Sequence, residues 1–227
     1  MSFRLTALWR WFCPAFLALF FCVSAAAQDQ SNPPAPVVFS NFDAISVSLV
    51  TAPRNGGNSN TGYGGQGNQW LLVEFHYAVN PPPRPGPVVT ASDFLPQIEF
   101  KVWVEGRDQL DPQSKGAEGI SIALTGSVTY VNVSKGRDNY GAFFVHPSSL
   151  SRFTNSRGAN QFLTDFNIHL EANVDGKVVA AADRKKEEDP KWFTQLRAIP
   201  GFVYRQNQCP FLNYDPDKYP AIQVPPQ

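Results

Sequence analysis

The chain has 227 residues, and its 19 basic and 19 acidic side chains leave no formal net charge. This balance gives no electrostatic reason to expect nucleic acid or an anionic membrane as a partner. Any contact with a membrane is expected to be peripheral at most. A chain of this length buries roughly 70% of its unfolded surface, and 18 Phe and five Trp supply ample core material.

Residues 1–27 have the composition of a signal peptide. Arg4 and Arg10 form a basic start, an apolar run follows, and a small-x-small cleavage site ends at Ala27. We therefore expect cleavage near Ala27 and a mature protein, residues 28–227, that is periplasmic or secreted.

Cysteine usage limits how the mature protein is stabilised. Cys13 and Cys22 lie in the leader, so only Cys209 remains after cleavage and an intramolecular disulfide is not possible. Lipidation of Cys22 is disfavoured because Phe21, rather than a small residue, precedes it. Stability must come from burial, and Cys209 is either a free thiol or part of an intermolecular disulfide.

The first segments of the mature chain combine loops with one strand. Residues 28–36 carry three prolines and predict a flexible lead-in. Residues 37–51 predict the first strand. Residues 53–68 contain six glycines and four asparagines, which predicts a mobile hairpin loop. The alternative is a ligand-contacting loop with Tyr63 as its contact residue.

The clearest strand of the sequence is residues 69–79, where apolar residues occupy every second position: Leu71, Val73, Phe75, Tyr77 and Val79. Six prolines follow within residues 80–96 and predict a stiff, polyproline-like crossover, with docking into an aromatic groove as the alternative. Further alternation predicts a strand at 98–104, a polar loop at 106–119, and strands at 119–125 and 127–133 with a bend or bulge at Gly126.

The C-terminal half predicts two short helices and a hairpin. Proline at the first helical position predicts helices at 147–153 and 190–196. Asp175-Gly176 predicts a tight turn between strands 162–174 and 177–182, whose pairing forms one edge of the fold. The charge run at 183–189 predicts a solvated loop rather than a calcium site.

Seven or eight short strands without β-α-β alternation predict an all-β protein. We expect an immunoglobulin-like antiparallel β-sandwich over residues 37–200, with two short helices and an extended C-terminal tail over residues 201–227. The tail contains aromatic residues without a regular period, so it is expected to lie over the sandwich and bury its rings one at a time. It would then cover a sheet edge or face that could otherwise pair with another chain.

The sequence predicts no catalytic, cofactor or metal site. His76 and Glu74 share one face of a strand, but two ligands do not make a metal site, and His146 and His169 lie elsewhere. Cys209 has no histidine near it in sequence, and no nucleophile motif surrounds the serines at 148 and 149. A pair of carboxylates for glycoside hydrolysis stays open, because proximity in space is not visible in a sequence.

The ending of the chain carries a resemblance to a known family. Pro210-Phe211, followed by Asp215 and Tyr219-Pro220-Ala221-Ile222, resembles the Pro-Phe-Ala, Asp-Arg-Tyr ending of small secreted immunoglobulin-like proteins of Verrucomicrobia, of the kind encoded with type IV pilus-like genes in Akkermansia. Leu212 replaces the family's alanine, and Lys218 stands where the family has its Asp-Arg pair. The strand around Trp70 and residues 191–201 are also similar. The resemblance implies an extracytoplasmic β-sandwich tied to a pilus or envelope, and it carries over no catalytic residue.

Three hypotheses follow. The first is a non-enzymatic exported accessory or structural component of a cell-surface or pilus-like assembly, with protein partners contacting its sheet edges and loops. The second is a carbohydrate-binding module in which exposed rings such as Trp103, Trp192 and Tyr63 stack on a glycan, although aromatics at strand spacing more often belong to the core. The third is a hydrolase on a sandwich scaffold. The candidate partner-contact residues are Tyr63, Trp103, Trp192, Phe211, Tyr214 and Tyr219.

Overall fold

The computed structural model describes residues 36–39, 44–52, 69–80, 93–114, 119–154, 159–185, 191–212, 215 and 217–224. The predictions for the leader, for nearly all of the lead-in, for most of the glycine-rich loop including Tyr63, for most of the proline-rich segment, and for Tyr214 fall outside these residues.

Sheet 1 is built around the strand that shows the clearest alternation in the sequence, β3 (Gln69–Val79). The strands β1 (Val37–Phe39) and β2 (Ile45–Thr51) pair antiparallel with successive parts of β3. On the other side of β3 lies β6 (Asp138–Val145), which pairs antiparallel with it. The strand β10 (Val203–Arg205) pairs antiparallel with the far side of β6.

Sheet 2 contains the two longest strands, β4 (Phe94–Asp108) and β5 (Ile120–Ser134), paired along almost their whole length. On the other side of β4 lie β7 (Ile168–Val174) and the edge strand β8 (Lys177–Asp183). Two short strands pair with the far side of β5: β9 (Arg197–Pro200), which is parallel to it, and β11 (Ala221–Ile222), which is antiparallel.

The two sheets pack face to face around a single large core. Alternate residues of β3 and β4 point inward and are fully or almost fully buried, including Phe75, Tyr77 and Phe100, whose rings contact one another. This burial explains the two-residue period of both strands, because successive side chains of a strand point to opposite faces. The predicted all-β, immunoglobulin-like sandwich is confirmed.

Several strand predictions need correction. The single strand predicted at 37–51 is two strands, β1 and β2, which pair with different parts of β3. The predicted bend or bulge at Gly126 does not exist, because Gly126 pairs with Val102 inside one continuous β5. The glycine instead admits a neighbouring chain, since a Cβ at this position would lie 2.9 Å from the Cβ of Val203. The predicted polar loop at 106–119 also begins too early, because Gly106, Arg107 and Asp108 still belong to β4.

In the described part of the chain, three short α-helices lie outside the sheets: α1 (Pro147–Arg152), α2 (Asn160–Thr164) and α3 (Trp192–Gln195). The helices α1 and α3 fall in the predicted segments. The helix α2 replaces the start of the strand predicted at 162–174, because Phe162 and Phe166 pack together four residues apart, with ring centroids separated by 4.9 Å. A 3-10 turn at Gln206–Gln208 follows β10. No helix within the described ranges is long and apolar enough to cross a membrane.

The predicted hairpin at Asp175-Gly176 is confirmed. Asp175 has a φ of 51° and Gly176 a φ of 74°, as a two-residue turn with both central residues in the left-handed region requires. The hairpin joins β7 to β8, and no described strand pairs with the other side of β8. The strand therefore forms one edge of the fold, as the sequence predicts.

Candidate functional site

The outer face of sheet 1 is covered by the C-terminal tail. The tail cluster is a hydrophobic group formed by β3, β6 and the tail, and its buried members are Trp70, Leu72, Ala142, Phe144, Phe211 and Tyr219. The ring of Phe211 stacks on Phe144, with centroids 4.7 Å apart, and meets Trp70 edge-on at 5.6 Å. Phe211 is only 1% exposed, so this part of the face is closed by the protein's own chain.

Polar contacts at Glu74 fix the end of the tail cluster. The hydroxyl of Tyr219 donates a hydrogen bond to Glu74 Oε1, and Lys218 Nζ lies 2.7 Å from the same oxygen. The ammonium group of Lys218 also lies 4.5 Å from the centroid of the Tyr140 ring. Burial alone would lower the pKa of Lys218, but the hydrogen bond and charge of Glu74, with help from Asp215 and Tyr140, raise the pKa above its ordinary value.

The three histidines do not converge. His76 stacks on Tyr140 with its Nε2 3.4 Å from Asp138, while Glu74 is occupied by the tail. His146 caps α1, where its Nδ1 accepts the backbone N–H of Ser148 and lies 2.8 Å from the Ser148 hydroxyl. The described residues hold no group of three or more potential ligands that could bind a metal ion.

The His169 cluster occupies the outer face of sheet 2. His169 Nδ1 lies 2.8 Å from Asp183 Oδ1, and the ring of Phe193 stacks on the imidazole with centroids 3.7 Å apart. Trp192 donates its indole N–H to the same aspartate oxygen at 3.4 Å. The helix α3 thus covers the buried His169 and contacts Asp183, which accounts for the burial of Trp192.

A groove of about 500 Å³ opens beside this cluster, where the chain passes from sheet 2 to sheet 1. Its floor is the outer face of β4 and β5, with Trp103 opposite Thr125 and Lys101 opposite Ser127. Its wall is the segment that follows β9 and includes Arg205. The volume lies within the range of small-molecule sites.

The edge strand β8 is the second open feature. Its middle, residues 178–182, consists only of Val and Ala, with Lys177 and Asp183 at the ends. β1 lies beside it, and Val38 and Val178 are 43% and 54% exposed. A bulge between Ala172 and Asn173 interrupts the pairing with β7 near the start of β8, after which the ladder is regular.

Cys209 is the remaining reactive group among the predicted features. Its thiol is half-buried at the rim of the tail cluster and donates to the carbonyl of Gln206 at 3.3 Å. Burial raises the pKa of Cys209 to about 11, and a backbone hydrogen bond from Phe211 offsets only part of this rise. The thiol is therefore a weak nucleophile at neutral pH.

The predicted contact residues lie in different places. Trp103 is half-buried and lines the groove, whereas Trp192, Phe211 and Tyr219 are buried against the sandwich. Of the stacking platform predicted from Trp103, Trp192 and Tyr63, the structure describes Trp103 and Trp192. These two rings do not form a platform together, because Trp192 is covered. Sequence reasoning missed Lys101, Thr125, Ser127 and Arg205, which come together only through strand pairing.

These features define a β-sandwich that closes one face with its own tail and leaves a groove and an edge strand open. A protein-family model matches residues 36–225, most of the chain, so the chain belongs to that family. The fold is also that of a crystal structure from Akkermansia muciniphila, which superposes with a TM-score of 0.54 at 20% identity and covers 80% of this chain and 95% of that one. No curated protein is significantly similar in sequence.

Proposed function

We propose that this protein is an exported, non-enzymatic β-sandwich that serves as an accessory or structural component of a cell-surface or type IV pilus-like assembly. The leader-like residues 1–27 support export to the periplasm or beyond. The resemblance of the tail to pilus-associated secreted proteins supports the assembly role. Its partners are proteins of the envelope or pilus, any membrane contact is peripheral, and neither nucleic acid nor a cofactor takes part.

The observation that carries this proposal is the edge strand β8. An unpaired strand presents a row of backbone N–H and C=O groups that can pair with a strand of another chain. Natural edges are commonly protected by charged residues, Pro or bulges. In β8 the charged residues stand only at the ends and the bulge lies near the start, while residues 180–182 are all alanine. The exposed side chains of Val38 and Val178 add apolar area beside this edge.

The mode of binding that fits this edge is strand addition. An extended segment of an envelope or pilus protein would continue sheet 2 by pairing with β8, with backbone hydrogen bonds supplying affinity and the small side chains of β8 allowing close approach. No described strand pairs with the other side of β2 in sheet 1, which α2 contacts. It offers a different surface because serine alternates with larger apolar residues over residues 45–49. The tail covers the part of the outer face of that sheet formed by Trp70, Leu72, Ala142 and Phe144.

Site-specific crosslinking tests the proposal. A photoreactive phenylalanine analogue is placed at Val178 of the full-length protein, expressed in its own organism, and crosslinked products are identified by mass spectrometry. The control carries the analogue at Leu110, which is 75% exposed and lies beyond the end of β4. We expect envelope or pilus proteins to crosslink at Val178 and not at Leu110. Equal crosslinking at both positions would contradict the proposal.

A second pair of variants tests the edge itself. Ala181→Lys places a charge in the middle of β8, on an exposed side chain. It should abolish recovery of the partner without unfolding the protein. Ala198→Lys introduces the same charge at an exposed position of β9 and should leave recovery unchanged. Retention of the partner by Ala181→Lys would rule out pairing along β8.

The carbohydrate-binding alternative is less well supported as the main role. It requires a row of exposed rings, and the buried Trp192 cannot contribute to one. Recovery of glycan without a protein partner in the crosslinking experiment would favour it over the assembly role.

A further inference from the structure

The groove beside Trp103 exists because the far edge of β5 is covered in two separate places. The strand β9 pairs with β5 up to Thr125, and β11 pairs with it at Tyr130 and Val131. Between them the chain leaves sheet 2 at Gly201, whose φ of +87° favours glycine, and enters sheet 1 as β10. The groove therefore results from the order of the strands, because β9 and β11 leave the part of the β5 edge between them uncovered by a strand of sheet 2.

The side chains on the groove floor form a compact set. On the outer face of sheet 2, Trp103 is the direct cross-strand neighbour of Thr125, and Lys101 is that of Ser127. Direct neighbours of this kind lie about 5 Å apart at Cβ, so one aromatic ring, one cation and two hydroxyls share a small area. All four residues line the groove.

The polar lining is rich in hydrogen-bond donors and includes no carboxylate among the described residues. Lys101 and Arg205 carry only donors, and Thr125, Ser127 and Gln208 add hydroxyl and amide groups. Glu99, whose Oε2 lies 3.6 Å from Lys101 Nζ, offsets part of the charge of that lysine. No described carboxylate lies within salt-bridge distance of Arg205, so the described lining of the groove carries a positive charge.

We propose that this groove binds a carboxylated saccharide. A sugar ring packs against Trp103, its carboxylate lies between Lys101 and Arg205, and its hydroxyls bond to Thr125 and Ser127. Aromatic rings offer an apolar surface to the C–H face of a sugar, and a guanidinium group matches the geometry of a carboxylate. This site is separate from the β8 edge, so the inference goes beyond the proposed assembly role and does not depend on it.

Titration with two matched pairs of sugars tests the proposal. The probes are trigalacturonate and sialyllactose, each added to the isotopically labelled mature protein and followed by NMR. The controls are the methyl ester of trigalacturonate, and lactose, which lack the carboxylate. We expect at least one acidic sugar to shift the indole N–H signal of Trp103 and to bind at least about tenfold more tightly than its neutral control. Absence of binding by both acidic sugars overturns the proposal, as does equal binding of the neutral controls.

Variants locate the binding and separate it from simple charge attraction. Arg205→Gln should weaken binding at least about tenfold, whereas Lys177→Gln, which removes an exposed cation on β8, should leave it unchanged. Thr125→Val keeps the shape of the floor and should also weaken binding. Binding that survives Arg205→Gln, or a hexaglutamate peptide that binds as tightly as the better sugar, overturns the saccharide assignment.

Discussion

Tyr219, near the end of the chain, donates a hydrogen bond to Glu74 in the middle of β3, a contact between residues 145 positions apart. Lys218 joins the same carboxylate oxygen. The tail is thus fastened at Lys218 and Tyr219 to the central strand of sheet 1 by a carboxylate on the outer face of that sheet. The hydrophobic contacts of Phe211 therefore belong to a tail that is also held further along, at Lys218 and Tyr219.

The first prediction concerns this carboxylate. Glu74→Gln keeps the size of the side chain but removes the charge that binds Lys218 and Tyr219. We expect a loss of about 1 to 2 kcal/mol in the free energy of unfolding, because hydrogen bonds to charged groups are the stronger ones. Urea denaturation measures it. Glu99→Gln, which breaks an exposed pair with Lys101, is the matched control and should cost less than about 0.5 kcal/mol.

The pH dependence of the same contact follows from the raised pKa of Lys218. Its stabilising contribution is fully present below the ordinary lysine pKa of 10.5 and is lost as the pH rises through the higher pKa of the folded state. The stability difference between the wild type and Lys218→Gln should therefore be constant around neutral pH and shrink in strong alkali. A difference that shrinks between pH 5 and 8 would contradict this assignment.

The second prediction concerns Phe211. Phe211→Ala removes a ring that is stacked on Phe144 and edge-on to Trp70, and loss of a buried phenylalanine costs about 3 to 5 kcal/mol unless the structure collapses or opens locally. Since the tail is terminal, we expect local opening. Hydrogen exchange should increase in the tail and at the outer face of β3, while β4 and β5 remain protected. Leu212→Ala, at a 59% exposed neighbour, should change neither.

Some parts of this structure could be predicted because their signals are local. The alternation of residues 69–79 reflects burial on one face of a single strand, and Asp175-Gly176 sets its turn by backbone conformation alone. The sequence did not predict the helix α2, because Phe162 and Phe166 adjoin a strand-like run. The packing of their rings against each other, four residues apart, became visible only in the structure.

The groove and the Glu74 contact could not be predicted, because both depend on strand pairing between distant segments. Nothing in the sequence pairs Lys101 with Ser127 until the register of β4 and β5 is known. Likewise Gly126 shows in sequence as a break, but its role is to make room for Val203, 77 residues further along the chain. The aromatic tail predicted burial of its rings, and only the structure shows which face they cover.

The third prediction compares two buried tyrosines. The hydroxyl of Tyr130 accepts the backbone N–H of Ala142 across the two sheets, whereas the hydroxyl of Tyr77 has no hydrogen-bond partner among the described residues. Tyr130→Phe should cost about 1 to 3 kcal/mol because it leaves a buried N–H unsatisfied. Tyr77→Phe should be neutral or slightly stabilising, because it removes a buried polar group that makes no bond.

Alkaline titration provides a second measurement on the same pair. Burial raises the pKa of Tyr77 and of Tyr130 above the ordinary value of 10.0. For an acid whose pKa is raised in the folded state, the contribution to stability is present below pH 10 and falls as the pH rises, because only the unfolded chain can ionise. Tyr77→Phe should therefore flatten the decline in stability above about pH 10. An unchanged decline would mean that Tyr77 ionises in the folded protein.

The fourth prediction concerns Gly141, which lies directly opposite Phe75 in the pairing of β6 with β3. A Cβ at this position would lie 2.0 Å from Cζ of the Phe75 ring, so Gly141→Ala forces the ring out of its place in the core. Overpacking of this kind costs about 1 to 3 kcal/mol. Adding Phe75→Leu should recover part of the loss, and a double-mutant cycle by thermal or urea unfolding measures the coupling. Simple additivity of the two changes would show that the ring moves away without strain.

The fifth prediction concerns Cys209. Because the pKa of its thiol is raised to about 11, against an ordinary value of 9.0, its thiolate fraction at pH 7 is on the order of a hundredfold below that of a free thiol. Labelling with a disulfide reagent should be much slower than that of glutathione, and should become fast in denaturant. Phe211→Ala, which loosens the cluster beside Cys209, should raise the rate in the folded protein, whereas Leu212→Ala should not. Rapid labelling of the native protein, or its prompt conversion to a disulfide-linked dimer in air at neutral pH, would show that the thiol is open and reactive rather than held against Gln206.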